Sequence, residues 1–425
     1  MKFQDVFPKP DPGSWEKIFL KEAKMAGEVL PEIENAEQLT QRYFYTQSEN
    51  LQLTMEQLGW KIRQRINTQI PDYHCHIENC LHNGVEIIEI NDITVIADIP
   101  EKVSIGLYDV SLSQVLNAMA KFPKHKISWA DGFLPPILSS GVWQEPNWNE
   151  IYDYIQVHQK VLPLTVSLVR NGGATVVHEI TIACLAMDYI VQKLIDRNIS
   201  AENLAQRLSL RFATGPHLMS EIAKYRSARI LWEQFWYRYG IKEVMPACIV
   251  AETTTWNVSP VDPHTDLLRA TGAAFASVAG TANELLVSPC PESEISSVEF
   301  GLRMARNLQH ILREEAYLAA VSDPAAGAYY PETLSQQIIS QTNESFRHFK
   351  ERGNLKTLLL GNELTPLYAK RKEQLVKGYR EKQQTLIGVT HYLNPILAEK
   401  KMPTKLPSID TDFMPVDQTP IAFLL

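Results

Sequence analysis

The segment Leu162-Pro163-Leu164-Thr165-Val166-Ser167-Leu168-Val169, followed by Gly172-Gly173 and then Thr175–Ile195, decides the fold class. The first part is a short apolar run that reads as a strand, the second a glycine turn, the third a helix. Val177, Ile180, Cys184, Met187, Val191 and Leu194 recur at steps of three and four, which puts an apolar stripe on one helix face. A strand followed by a helix is one βα unit, and repeated units build a parallel sheet. The alternation continues on both sides. Strands are expected at Val85–Ile90, Val103–Tyr108, Lys126–Trp129, Leu208–Ala213, Ala247–Ala251 and Glu284–Val287, with an eighth near Leu318–Ser322. Eight such units predict an α/β fold closed as a (β/α)8 TIM barrel. An open doubly wound sheet is the alternative.

Outside this pattern the chain changes character. Residues 1–60 read as a helical N-terminal arm, with one helix opening at Ser14-Trp15 and a second over Glu37–Tyr45. The barrel is expected over 61–395. Residues 396–425 carry Pro403, Pro407, Pro415 and Pro420 and read as an extended tail. The charged stretch 353–388 reads as a solvated helix face.

Composition narrows the function. Of 425 residues, 45% are hydrophobic, enough for a large core, and the net charge of −8 argues against a general nucleic-acid surface. Five cysteines (Cys75, Cys80, Cys184, Cys248 and Cys290) are too few and too scattered for a disulfide framework, so a reducing cytoplasm is expected. No signal-type apolar core follows Met1, and no window of about 18 apolar residues predicts a membrane span.

Few short motifs carry chemistry. His74-Cys75-His76 with Cys80 has ligand types suited to zinc, but no second pair follows at the usual spacing, and packing or surface placement is the plainer reading. Gly172-Gly173 could bring backbone N–H groups to an anion at a strand's C-terminal end. With no Lys or Ser completing a phosphate loop, a tight turn is the plainer reading. Asp262-Pro263 reads as a helix N-cap with Pro at the first helical position.

A set of longer words says more when read together. They are Glu221-Ile222-Ala223-Lys224-Tyr225-Arg226-Ser227-Ala228-Arg229-Ile230-Leu231-Trp232, Thr255-Trp256-Asn257, Asp262-Pro263, Met304-Ala305-Arg306-Asn307 and Asp323-Pro324-Ala325-Ala326-Gly327-Ala328-Tyr329-Tyr330. In this order they resemble the barrel of adenosylcobalamin-dependent methylmalonyl-CoA mutases. Gly59-Trp60-Lys61-Ile62-Arg63-Gln64 resembles that family's approach to the barrel, and Asn83-Gly84-Val85-Glu86 its first strand. Gly173-Ala174-Thr175-Val176-Val177-His178-Glu179 resembles its Gly-Ala-x-x-x-Gln-Glu helix start, with His178 in place of Gln.

The resemblance implies a reaction whose parts can be looked for. In the family the acyl-CoA threads the barrel axis, and a cofactor-derived radical abstracts a substrate hydrogen. A catalytic Tyr-His pair aligns here with Ser167 and Leu168, and leucine cannot donate a hydrogen bond to a migrating carbonyl. The family's Thr-Met-Tyr is Thr54-Met55-Glu56. Its Gln-Thr-Ser-Gly-Trp is Glu252-Thr253-Thr254-Thr255-Trp256. Its adenosyl-contacting His-Thr-Asn is Leu285-Leu286-Val287. Asp262-Pro263-His264 only partly matches the cobalt-ligating Asp-x-His-x-x-Gly and reads as chance. Gly172, Gly173, His178, Glu252 and Trp256 remain as residual barrel-top residues.

These departures resemble the small subunit of heterodimeric mutases. The implied role is non-catalytic, with no metal or cofactor held by this chain, adenosylcobalamin bound by the partner, and a catalytic large subunit as the partner. The alternatives are an acyl-CoA mutase barrel working with a separate cobalamin-binding subunit, and a CoA-ester-binding module.

Overall fold

The structure, a computed structural model, describes residues 11–22, 32–42, 45, 51–53, 58–259, 262–290, 297–392 and 416–419. Its core is an eight-stranded parallel sheet: β1 (Lys61–Ile66), β2 (Ile87–Ile90), β3 (Ser104–Leu107), β4 (Lys126–Trp129), β5 (Leu162–Thr165), β6 (Leu208–Thr214), β7 (Ile249–Thr253) and β8 (Glu284–Leu286). The order is β4-β3-β2-β1-β8-β7-β6-β5. The pairing of β1 with β8 wraps the sheet round, and helices between strands make the outer ring. This is the expected (β/α)8 barrel.

The closing edge, β4 against β5, has no hydrogen-bonded ladder among the described residues, and the sequence supplies the reason. Val166 donates its N–H to the Arg211 carbonyl of β6, so by strand alternation the backbone of Pro163 faces β4. Proline has no N–H to donate there. On the other side, Trp129 N–H is taken by the Tyr154 hydroxyl at 2.8 Å. Gly132, at φ 72°, lies directly on the Pro163 carbonyl, where any Cβ would clash. The seam closes by packing rather than by a ladder.

Two sequence expectations are corrected. The eighth strand is not at Leu318–Ser322, where a short 3-10 turn (Leu318–Ala320) forms instead. It is β1, whose Lys-Ile-Arg-Gln-Arg-Ile alternation carries too much charge to look like a buried strand. Leu162–Thr165 is therefore the fifth strand, and Ser167–Asn171 is already a short helix. The second helix expected over Glu37–Tyr45 is also absent where the chain is described. Ile33–Glu34 pairs antiparallel with Thr40–Gln41, the Asn35 side chain accepts the N–H groups of Glu37 and Leu39, and Gln38 takes φ 62°. This turn chemistry outcompetes a helix. The first expected helix is present at Pro12–Glu22.

Alternation sorts the strand side chains into two layers. Ile62, Ile66, Ile88, Ile90, Ile105, Leu107, Ile127, Leu210, Phe212 and Leu285 point outward into one continuous apolar core shared with the helices. Helix Val176–Ile195, expected to bury one stripe, is buried nearly all round, because helices Leu218–Tyr237 and Tyr329–Arg352 both pack on it. No helix of the described residues is long and apolar enough to cross a membrane.

Candidate functional site at the barrel axis and mouth

The inward layer is charged. Glu89 of β2 sits at the centre, fully buried. It accepts from Arg63 of β1 at 2.6 Å, Arg65 of β1 at 2.8 Å and Arg211 of β6 at 2.8 Å. Arg211 also binds Glu252 of β7 at 2.8 Å, Arg65 binds Asp131 at 2.9 Å, and Arg63 reaches Glu284 of β8. The pair Arg211–Glu89 joins β6 to β2 across the barrel, so the network fills the axis. Gly106 of β3 makes room for it: a Cβ there would meet Glu89 Cγ at 3.1 Å. Burial alone would raise the Glu89 carboxyl, but the guanidiniums of Arg211, Arg65 and Arg63 outweigh it and hold the group well below the carboxylate range. The network comprises three cations and four carboxylates, each with partners, which is the condition for tolerating buried charge.

Above this plug, at the C-terminal ends of the strands, lies a cavity of about 380 Å³. Arg65, Tyr108, Leu168, Glu252, Leu286 and Val287 are among its lining residues. This is where barrel enzymes place their chemistry. The Arg65 guanidinium lies 4.3 Å over the Tyr108 ring. The C-terminal segment 416–419 returns to this mouth. Val416 is buried and donates its N–H to the Leu138 carbonyl at 2.8 Å. Lys372 binds the Asp417 carbonyl at 2.7 Å, and Gln418 lines the cavity. Lys372 is thus the exception in a stretch whose Lys370, Lys377, Arg380, Glu381 and Lys382 are exposed.

The residues singled out in the sequence divide accordingly. Leu168, Glu252, Leu286 and Val287 reach the cavity. Ser167 is fully buried with an unpartnered hydroxyl, and Leu285 faces the helices. His178 turns its ring to the Leu367 carbonyl at 3.0 Å, and burial lowers its pKa to about 4. Trp256 packs with Leu375, Tyr379 and Leu386. Gly172 and Gly173 make a tight turn: Gly172 abuts Val416, and Gly173, at φ 99°, lies against the Lys372 backbone. Asp262 caps helix Pro263–Ala279 by accepting from Thr265 N–H at 3.1 Å. His74 and Cys75 are exposed, whereas Cys80 is buried against Gln64, so these groups do not converge. Glu56 lies outside the described residues. Sequence reading missed Arg63, Glu89 and Arg211. The available signal was a charge in a strand buried on both faces, such as Glu89 among Ile87, Ile88 and Ile90.

The long word at 221–232 has a different use. It is the buried face of helix Leu218–Tyr237, outside the strands. Lys224 binds Glu179 at 3.0 Å and Glu221 at 2.6 Å. Glu221 also binds Arg170 at 2.6 Å, and Arg170 holds Glu37 of the N-terminal hairpin at 2.7 Å. Arg226 pairs with Asp323 and, at 2.6 Å, with Glu332. Arg229 donates to the Ala247 carbonyl at 2.9 Å and Asn283 at 2.8 Å. The word at 221–232 and the segment 323–332, which extends the last word to Glu332, are therefore complementary halves of one buried scaffold.

Comparison with known proteins agrees with this scaffold. The family profile described as methylmalonyl-CoA mutase matches residues 149–419. The chain is 30% identical over 197 residues to the methylmalonyl-CoA mutase small subunit of Porphyromonas gingivalis, covering 46% of this chain and 32% of that one. It is 28% identical over 187 residues to the methylmalonyl-CoA mutase of Escherichia coli, covering 44% and 26%. Against the small subunit of Propionibacterium freudenreichii it is 23% identical over 269 residues, covering 61% and 42%. The matches thus span only 26% to 42% of these relatives' own length. With the profile extending over more than half of its residues, the chain belongs to the methylmalonyl-CoA mutase family.

Proposed function

We propose that this chain is the non-catalytic small subunit of an adenosylcobalamin-dependent methylmalonyl-CoA mutase, a cytoplasmic protein that stabilises a catalytic large subunit. One observation carries the reading: the axis along which the family threads its acyl-CoA is crossed here by Arg63, Glu89 and Arg211. A pantetheine arm would have to displace this network and leave charges buried without partners, at several kcal/mol each.

The mouth supports the same reading. Its cavity of about 380 Å³ is in the range of an ordinary small-ligand pocket, about 300–1,000 Å³. It offers Leu168, Leu286 and Val287 where the family reading expects polar catalytic and adenosyl-contacting groups. These residues do not fit adenosylcobalamin, which belongs to the partner. The N-terminal helix supplies a contact surface: Trp15 stacks on Phe19 at 5.2 Å and, with Ile18, stays exposed. Exposed aromatics and aliphatics of this kind are enriched in interfaces.

The test is to express the large subunit with and without this chain. The expected result is a stable complex whose large subunit survives heating and dilution better than it does alone. A large subunit equally stable and active alone sinks the proposal.

A further inference from the structure

We infer that residues 416–419 form a releasable strap that clasps the barrel mouth across the β4–β5 seam. The strap is seated on three elements. Val416 donates its N–H to the Leu138 carbonyl at 2.8 Å, on helix Leu134–Ser140, which follows β4. Its side chain is buried on Gly172, at the end of helix Ser167–Asn171, which follows β5. Asp417 is held from helix Ala369–Arg380, where Lys372 Nζ meets its carbonyl at 2.7 Å and its carboxylate at 3.0 Å. The first two seats stand on either side of the seam, so the strap spans the barrel edge that has no hydrogen-bonded ladder among the described residues. Gln418 then reaches the mouth cavity, which Leu168 also lines.

Three residues are shaped to this docking. Gly172 has φ −78°, a negative value that any L-residue can adopt, so backbone freedom does not call for glycine there. The strap does: a Cβ at this position would stand 2.4 Å from Val416 Cγ1, closer than to any other group. Gly173, at φ 99°, makes the turn that lets the Lys372 backbone approach, with its N and Cα at 3.1 and 3.0 Å from where a Cβ would be. Lys372 itself is only 6% exposed, and among the described residues both acceptors of its ammonium belong to Asp417. With the strap gone it would be a buried cation without a counter-charge, which is costly. The glycine pair is thus the seat of the strap and of the lysine that latches it.

The same contacts make the strap releasable. One backbone hydrogen bond, one apolar side chain and one lysine hold it, each a modest interaction set against the entropy of ordering the segment. Asp417 stays exposed, and Gln418 and Thr419 are half-buried. Opening of this kind belongs to the low-stability end of a fold and leaves the core untouched. Because Gln418 takes part of the wall of a cavity of about 380 Å³, a molecule filling the mouth and the docked strap compete for the same space. None of this depends on whether the barrel is catalytic.

The test is thiol labelling of the full chain carrying Leu168→Cys, on the cavity wall, with a bulky maleimide. Two native cysteines serve as internal controls: exposed Cys75 reports the reagent, and buried Cys184 stays unreactive while the barrel is folded. Val416→Asp, which sets a carboxylate in an apolar seat, should raise the labelling rate at position 168 about tenfold or more, and Lys372→Met about fivefold. Gly172→Ala should also raise it about fivefold, but less than about twofold in a Val416→Ala background, where the clashing Cγ1 is gone. Should Val416→Asp expose Cys184, the paired Gly172 and Val416 variants decide. A rate at position 168 unmoved by Val416→Asp and Lys372→Met, or a Gly172→Ala effect equal in both backgrounds, overturns the inference.

Discussion

The molecule holds two buried ion networks, and they are built in opposite ways. The axis network takes one or two residues from each of several strands, with Arg63 and Arg65 from β1, Glu89 from β2, Arg211 from β6, Glu252 from β7 and Glu284 from β8. The shell network is concentrated on one helix, where Glu221, Lys224, Arg226 and Arg229 fall within nine consecutive residues and reach out to Glu179, Asp323 and Glu332. The shell holds helices to the barrel, as any barrel needs. On the proposed function, the axis network occupies the place where a catalytic relative would hold its acyl-CoA. A barrel can therefore keep its scaffold while closing its bore.

Breaking the centre of the axis should cost most. Glu89→Ala leaves buried Arg63 and Arg211, and half-buried Arg65, without their shared carboxylate, and removing one partner of a buried ion network costs about 3–5 kcal/mol. Urea unfolding should show that loss. Arg226→Met should cost somewhat less, about 3 kcal/mol, because Glu332 keeps the N–H groups of Gly327 and Leu51. Its hydrogen-exchange signature should centre on 323–332, whereas that of Glu89→Ala should spread over the strands.

A combined replacement sharpens the contrast. Arg63→Leu, Glu89→Leu, Arg211→Met, Glu252→Leu and Glu284→Leu together, which leave Arg65 paired with Asp131, should destabilise less than Glu89→Ala alone, since a packed apolar set can replace buried ions at little cost. A combined variant less stable than the single one would mean that the axis charges hold the barrel together rather than merely filling it.

The shell also predicts a pH dependence. Burial pushes the Glu179 carboxyl up to about 7 against the pull of Lys224. A carboxyl raised in the folded state contributes stability that is fully present below its unfolded value, near 4.5, and is lost as pH rises through about 7. Melting temperature should fall over that window, and Glu179→Gln should remove part of the fall. Glu37 works the other way. Burial would raise it, but Arg170 holds it down to about 2, so its contribution is lost as pH drops from about 4.5 towards 2. The smallest effect is expected at Gly172→Ala, about 1 kcal/mol, because Val416 must shift to admit the methyl group.

The same contrast explains what was legible. The shell could be read because its charges sit in one unbroken word, and seven strands could be read from apolar runs bounded by turns. β1 could not, since Arg63, Gln64 and Arg65 look like surface residues until the closed barrel places the arginines inside it. Leu318–Ser322 looked like a strand from its apolar start, but it has no strand neighbour and forms a turn. The mouth was partly readable: of the positions singled out in the sequence, Leu168, Glu252, Leu286 and Val287 line it, whereas His178 and Trp256 pack elsewhere. Gln418 could not be placed there, because nothing local tells an extended segment where to dock.

The most direct test of the closed axis is calorimetric titration of the purified chain with methylmalonyl-CoA. No saturable heat is expected up to about 1 mM, a limit of ~4 kcal/mol. Saturable binding in the micromolar range that Glu89→Ala alters would contradict it, because the ester would then be entering a bore the network was said to fill.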